Sequence, residues 1–347
     1  MVSMKLQFTW KTVLLPAVGL LAFFLYLYIF NVDIPKIIAT ARGIEVSFYL
    51  LAIAAVMLET FFFALSWRSL LSFLSVKLSV VKSFLYIWFG IFIDLVIPAE
   101  SISGEISRIY LVTREQNGAT GKVVASLVTQ RLIGMSINIV SLFVGATALL
   151  MRHQLGGIVL NLTVFLAVST LIFLVLLLLL CIKERWTLKI IDAVIRFAEY
   201  VTRGRWKLTS VRKEVVKAAK AFHSAMKEFG RAPKTLFTPA FFSVLSWIFS
   251  LAVAYSVFWS IGLPSIPWSV IIVTCSVVAA VKAIPLGVPF EVGLPEITMS
   301  TLYMVLGVPP DIAATATILT RIITVWIRFF IGFAVQQWLG IKAITTK

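Results

Sequence analysis

The sequence predicts an all-α polytopic membrane protein built as an inverted repeat. The chain of 347 residues is 60% hydrophobic, and its mean hydropathy of +1.01 is far above that of soluble domains. Several apolar runs reach the roughly 20 residues that a helix needs to cross a hydrocarbon core of about 30 Å. Two other apolar runs stop early at prolines. We therefore expect about eight helices in a single membrane domain, residues 1–347, with six full spans and two oppositely oriented re-entrant hairpins.

The net charge of +16 is distributed as expected for a membrane surface and not for nucleic acid. Its cations cluster on one predicted side, where anionic lipid headgroups attract Lys and Arg. Lys5 and Lys11 place the N-terminus in the cytoplasm, and Lys342 and Lys347 place the C-terminus there too. We predict a multi-pass protein of the cell membrane whose partners are membrane lipids, with their anionic headgroups at the cytoplasmic face.

Six apolar segments are long enough to be full spans. The second of them carries Glu59, which we expect to face the bundle interior because a charge facing lipid is costly. The predicted spans cover residues 12–31, 46–66, 123–150, 158–182, 236–260 and 311–338.

Residues 183–234 differ in composition from the rest of the chain. They hold fourteen Lys or Arg against five Asp or Glu, a local net charge of +9, and apolar residues recur at helical spacing. This pattern predicts a basic amphipathic linker on the cytoplasmic leaflet, with a break near Gly204. A linker that binds a soluble partner is the alternative.

The first hairpin is predicted over residues 83–113. An apolar run too short for a comfortable crossing ends at Pro98, and a second short helix carries Glu105 and Arg108. The positive-inside rule predicts that the charged residues on both sides of this segment are cytoplasmic. The chain is therefore expected to enter and leave the membrane on one side. A full crossing is the alternative.

The second hairpin is predicted over residues 268–306, around a proline-rich stretch with two glutamates. Pro285, Pro289 and Pro295 lack backbone donors and clash with a continuing helix. Broken backbone inside a bilayer requires protein or a water-filled cavity around it, and ionisable groups there indicate a functional site. We expect Glu291 and Glu296 to line a polar cavity.

The two hairpins belong to a repeat, approximately residues 45–150 and 235–340. In each half a proline, a short helix with a glutamate and a later helix with an arginine follow in order. Glu105 precedes Arg131 by 26 residues, and Glu296 precedes Arg321 by 25. Because the first hairpin opens to the cytoplasm and the second to the outside, the repeat is inverted, as in transporters that bind substrate at the repeat interface.

At these residues the chain resembles the flippase-like transmembrane domain family of the lysylphosphatidylglycerol synthases. The resemblance covers most of the chain. It implies lipid translocation and not lipid synthesis, because no segment here could hold the aminoacyl-transfer domain. One departure is Glu291, which stands roughly where the family has a glycine. The matching positions are Pro98, Gly104, Glu105, Arg108 and Arg131 in the first half, and Pro285, Gly293, Glu296 and Arg321 in the second.

The candidate substrate-binding residues are charged groups at predicted membrane depth. Arginines engage lipid phosphate bidentately, and carboxylates meet cationic headgroups or exchange protons. Four of them are expected to form two acid–base pairs across the repeat interface. The alternative is that they are buried ion pairs that only satisfy broken backbone, and for Arg108 an interfacial position is the alternative. Asp94, Glu100 and Arg328 are weaker candidates. The substrate-binding set is Glu105, Arg108, Arg131, Glu291, Glu296 and Arg321, and the hairpin residues are Pro98, Gly104, Pro285, Gly287, Pro289, Gly293 and Pro295.

No cofactor, metal or catalytic centre is predicted. His153 and His223 lie far apart, and Cys181 and Cys275 lie inside apolar segments with no metal or redox spacing. No phosphate loop, nucleophile elbow or HExxH motif occurs. We therefore expect a non-enzyme.

The sequence favours translocation of a phospholipid or polyprenyl-phosphate-linked lipid through a polar midplane cavity. Two rival functions stay open. One is an intramembrane enzyme, or a non-catalytic partner of a lipid- or glycan-modifying enzyme. The other is a scaffold that recruits a soluble partner through residues 183–234. A homo-oligomer is likewise open.

Overall fold

A computed structural model describes Pro35 and residues 42–97, 102–151, 157–201, 209–282 and 293–345. The regular elements in these ranges are all helical. The last α-helix, α11, is continuous through Pro310–Arg321, a π-helical stretch Ile322–Ile327, and Arg328–Thr345, and a 3₁₀ turn at Pro233–Leu236 precedes α8. The other α-helices are α1 (Val46–Phe73), α2 (Val80–Val96), α3 (Ile102–Glu115), α4 (Thr120–Met151), α5 (Gly157–Ile182), α6 (Glu184–Val201), α7 (Thr209–Arg231), α8 (Phe237–Ser260), α9 (Trp268–Lys282) and α10 (Leu294–Val305).

Five of these helices, α1, α4, α5, α8 and α11, are long and apolar enough to cross a membrane. A helix rises about 1.5 Å per residue, so at least 18 residues nearly traverse the hydrocarbon core. The protein is therefore a multi-pass integral membrane protein. The five helices coincide with five of the six predicted spans, and the sixth, residues 12–31, lies outside the described residues.

Four shorter helices form two packed pairs, α2 with α3 and α9 with α10. Each pair occupies a segment predicted to be a re-entrant hairpin. In the first pair, the Ser79 side chain caps α2 by accepting a hydrogen bond from the Lys82 amide. The connections, residues 98–101 and 283–292, lie outside the described residues. The re-entrant path and its inverted orientation stay predictions.

Helices α1 and α8 pack along most of their length through small residues. Small side chains allow helices in a membrane to approach closely, where packing replaces the hydrophobic effect as the driving force. The Ser66 and Ser243 hydroxyls hydrogen-bond across this interface at 2.8 Å, and the Ser246 hydroxyl donates to the Glu59 carbonyl. Of the shorter helices, α2 packs against α1 of this pair and α9 packs against α8.

The basic segment forms two helices, α6 and α7, that pack on the membrane bundle. Phe222, Ala225 and Phe229 are buried on the face of α7 that meets α4 and its surroundings. His223 also points inward, with its Nδ1 3.0 Å from the Cys181 carbonyl oxygen at the end of α5. The break expected near Gly204 lies outside the described residues, and the contact with a leaflet stays a prediction.

The expected count of about eight helices is wrong, because the described ranges alone contain eleven. Each predicted hairpin was counted as one element but contains two separate short helices, so four helices were counted as two. The basic segment adds two more. Its apolar positions have helical spacing and bury against α4, so the segment is helical in spite of its charge.

Gly121 on α4 provides a test of the packing between α4 and α7. A Cβ at this position would lie 2.4 Å from the Ala218 carbonyl oxygen, whereas a Cβ at Gly134 on the same helix meets nothing within 4 Å. We expect Gly121→Ala to destabilise the protein by about 1–3 kcal/mol through overpacking. Gly134→Ala should be neutral or stabilising by about 0.5–1 kcal/mol. Thermal unfolding in detergent measures both, and equal melting temperatures would show that α7 does not pack on α4 as described.

Candidate functional site

A first Glu–Arg unit joins α3 to α4. Arg131 Nη2 lies 2.8 Å from Glu105 Oε1, and the two side chains are 33% and 23% exposed, respectively. Glu105 is in the first turn of α3, where the partial positive charge of the helix N-terminus favours a carboxylate. The ion pair therefore fixes the start of the short helix to the following long helix while remaining partly accessible.

A second Glu–Arg unit joins α10 to α11 and is more deeply buried. Arg321 Nε donates to Glu296 Oε1 at 2.6 Å, and the side chains are only 8% and 4% exposed, respectively. The other carboxylate oxygen of Glu296 accepts a hydrogen bond from the Gly293 amide at 2.7 Å. Burial of an ionised carboxylate requires this degree of pairing.

The backbone at Gly293 makes the second unit feasible. Gly293 has a φ of +107°, a conformation that side-chain-bearing residues rarely adopt, and it is the residue that precedes the first turn of α10. Pro295 lies within that first turn, where its missing amide hydrogen costs nothing. Glu296 then reaches back to the Gly293 amide and forward to Arg321. The predicted hairpin residues thus position the glutamate.

Arg108 lies beside the first unit with part of its hydrogen-bonding capacity unused. It is 7% exposed, its guanidinium carbon lies 5.4 Å from the centroid of the Trp67 ring, and its Nη1 has no hydrogen-bond partner among the described residues. Burial disfavours its charge most strongly, Glu105 and Asp94 favour it, and Arg131 opposes it. A buried cation with an unused donor is suited to an anionic group.

Asp94 and Gly104 hold the two helices of the first hairpin together. Asp94 Oδ1 accepts hydrogen bonds of 2.7 Å from both the Ser103 hydroxyl and the Gly104 amide. A Cβ at position 104 would lie 2.2 Å from Asp94 Oδ2, so only glycine fits. The sequence singled out Gly104 but ranked Asp94 low, because nothing in the sequence shows that Asp94 caps a neighbouring helix.

A third ion pair, between Glu59 on α1 and Arg328 on α11, was not predicted. The two residues are 269 positions apart. The sequence indicated only that Glu59 faces inward and that Arg328 is a weaker candidate, and it did not pair them. The π-helical stretch Ile322–Ile327 separates Arg321 from Arg328 on α11. Such stretches are frequent at functional sites. Here the two arginines reach glutamates on different helices.

The remaining predicted site residues lie outside the described part of the chain. They are Pro98, Pro285, Gly287, Pro289 and Glu291. Among the residues that are described, no group of three or more His, Cys, Asp or Glu side chains is arranged to hold a metal ion.

Comparison with known proteins identifies the family. A model of the Lysylphosphatidylglycerol synthase TM region matches residues 13–332, which confirms the resemblance predicted from the two hairpins. The chain is 22% identical over 296 residues to the UPF0104 membrane protein PH1989 of Pyrococcus horikoshii, covering 83% of this chain and 86% of the relative. It is 23% identical over 339 residues to the UPF0104 membrane protein MJ1595 of Methanocaldococcus jannaschii, covering 95% of each.

The two Glu–Arg units should differ in their contribution to stability. Glu296→Gln removes the charged partner from a deeply buried pair, which costs about 3–5 kcal/mol. Glu105→Gln breaks a partly solvated pair and should cost no more than about 1 kcal/mol. Thermal unfolding of the two variants in one detergent gives the comparison.

A double variant isolates the charge effect. Arg321→Met in the Glu296→Gln background removes the buried cation as well and should recover part of the lost stability. If both single variants melt at the same temperature, the burial difference between the two units is wrong.

Proposed function

Because the chain belongs to the family of the Lysylphosphatidylglycerol synthase TM region, we propose that it translocates a lipid between the two leaflets of the cell membrane. The substrate is a phospholipid or a polyprenyl-phosphate-linked lipid. The observation that carries the proposal is Arg108, a buried arginine with an unused donor beside a partly exposed Glu–Arg unit. Ionisable residues inside a membrane are costly, so paired charges there favour a polar path for the headgroup.

In the proposed mechanism, the lipid phosphate binds Arg108 and displaces part of the contact between Arg131 and Glu105. An arginine fork matches phosphate oxygens, and the bond strengthens where water is scarce. Glu105 then faces a cationic group of the lipid head or solvent, so neither Glu105 nor Arg131 is left buried without a partner. The acyl chains stay in the surrounding lipid, which avoids the cost of enclosing them.

The unequal burial of the two units supports an alternating mechanism. The first unit is a quarter to a third exposed, and the second is almost fully buried. In the proposed cycle, one unit is open to one side of the membrane while the other unit is closed, and the headgroup passes from one unit to the other. The π-helical stretch next to Arg321 supplies a local irregularity at which α11 can adjust.

The proposed activity is transport without covalent chemistry, carried out with both termini in the cytoplasm. In this proposal the ion pairs act as binding and gating groups. Formation of a new lipid product from an added donor would instead indicate the rival enzyme function.

Leaflet exchange of labelled lipids in proteoliposomes tests the proposal. The vesicles carry a trace of fluorescent phosphatidylglycerol, phosphatidylcholine or a polyprenyl-phosphate lipid, and a membrane-impermeant quencher reports the exchange rate. We expect exchange by the wild type for at least one phosphate-bearing lipid. Arg108→Gln and Arg131→Gln should each slow it about tenfold or more, since a hydrogen bond to a charged group contributes about 1.5–3 kcal/mol.

Lys82→Gln is the matched control. Lys82 also forms an ion pair with a glutamate, Glu115, but its side chain is half exposed. This pair joins the start of α2 to the end of α3. The control should exchange lipid at the wild-type rate. Unchanged exchange in both arginine variants would contradict the proposed binding site.

A further inference from the structure

Helices α4, α5, α6 and α7 line an open apolar cleft that is separate from the Glu–Arg units. Its volume is about 360 Å³, which lies in the range of small-molecule sites, about 300–1,000 Å³. Residues from all four helices line it: Val124, Val128, Leu177, Leu180, Cys181, Thr187, Ile190, Ile191, Val215, Ala218, Ala219 and Phe222.

The lining of the cleft accepts only an apolar occupant. Thr187 contributes a hydroxyl, but this hydroxyl donates to the Leu180 carbonyl at 2.9 Å and so satisfies the end of α5. The other lining side chains are hydrocarbon apart from the Cys181 thiol. A polar ligand would lose its hydration in this cleft without gaining hydrogen bonds.

The size of the cleft separates an acyl chain from a protein partner. An α-helix with its side chains is about 10–12 Å across, so the volume would hold less than about one turn. A cleft of this volume can hold a single extended hydrocarbon chain. Each buried CH₂ group of that chain contributes about 0.8 kcal/mol.

Cationic residues lie next to the cleft, at the end of α5. Lys183 follows the lining residue Cys181 by two positions and precedes Thr187 by four. It is exposed and forms no ion pair with any residue that the structure describes. Arg212 lies one helical turn before Val215 and pairs with Asp192, which links α7 to α6. Exposed Trp186 is an aromatic side chain of the kind that favours the headgroup region.

We propose that this cleft binds one acyl chain of an anionic phospholipid, whose phosphate contacts Lys183. The site is independent of the proposed translocation path, because it lies among different residues and needs no leaflet exchange. A lipid bound here braces α4 one turn before Arg131, since Val128 lines the cleft. The apolar lining accounts for the chain, and the exposed Lys183 accounts for the anionic headgroup.

Photo-crosslinking in nanodiscs tests the site. The probe is phosphatidylglycerol with a diazirine near the end of one acyl chain, present as a minor component in phosphatidylcholine, and mass spectrometry locates the labelled peptides. We expect the label on the lining residues of α5, α6 and α7. Ala218→Leu fills the cleft and should remove this labelling. Ala193→Leu, the same change at an exposed position of α6, should leave it intact.

A charge variant tests the headgroup independently of the cleft volume. Lys183→Gln should lower labelling by phosphatidylglycerol about fivefold, which corresponds to about 1 kcal/mol for a cation at a membrane surface. Labelling by a phosphatidylcholine probe with the same diazirine chain should not change. The proposal is overturned if Ala218→Leu, folded as judged by a single gel-filtration peak, labels like the wild type. It is equally overturned if label spreads evenly over the lipid-facing surface of α5, or if Lys183→Gln affects both probes alike.

Discussion

The ion pair between Glu296 and Arg321 constrains the rest of this structure. A carboxylate buried to this degree requires a partner for each of its oxygens, and the Arg321 guanidinium and the Gly293 amide supply one each. The pair therefore fixes three features at once: the glycine that begins α10, the orientation of α10, and its contact with α11. The same glutamate also satisfies the amide at the start of α10, as the predicted start of this helix inside the bilayer requires.

The same local solution occurs twice in the chain with different burial. In the first unit, Glu105 also stands in the first turn of a short helix and meets an arginine of the following long helix. The additional pair between Glu59 and Arg328 ties α11 to α1, so α11 carries two arginines engaged by two different helices. Movement of α11 must therefore break or exchange ion pairs. Such contacts favour discrete states over continuous flexing, which suits a transporter.

The sequence predicted the features that depend on local pattern. Length and hydropathy located the five spans. The repeated spacing of glutamate and arginine singled out the four residues that the structure joins as two Glu–Arg units. Apolar periodicity also predicted that the basic segment is helical. These predictions succeeded because a bilayer leaves few alternatives for an apolar run, and because a charge within such a run requires a partner.

Features that depend on which helices meet were not accessible from the sequence. The pairing of Glu59 with Arg328 joins positions at opposite ends of the chain, and no local pattern encodes it. The contact of Arg108 with Trp67 depends on where α3 lies relative to α1. The capping of α3 by Asp94 depends on how α2 packs beside α3. The number of helices was wrong for a related reason: a break inside an apolar run was treated as a turn within one element.

The central claim is that two Glu–Arg units of opposite orientation form one path, and the accessibility of the two hairpin loops tests it most directly. Cys181 and Cys275 would first be replaced by serine. Glu100→Cys and Glu291→Cys would then be introduced in separate variants. A third variant, Lys227→Cys on α7, reports the side of the membrane on which the basic helices lie. A membrane-impermeant maleimide is then applied to sealed vesicles of each orientation. The account predicts that position 100 reacts from the same side as position 227, and position 291 from the opposite side. Reaction of positions 100 and 291 from one side would contradict it.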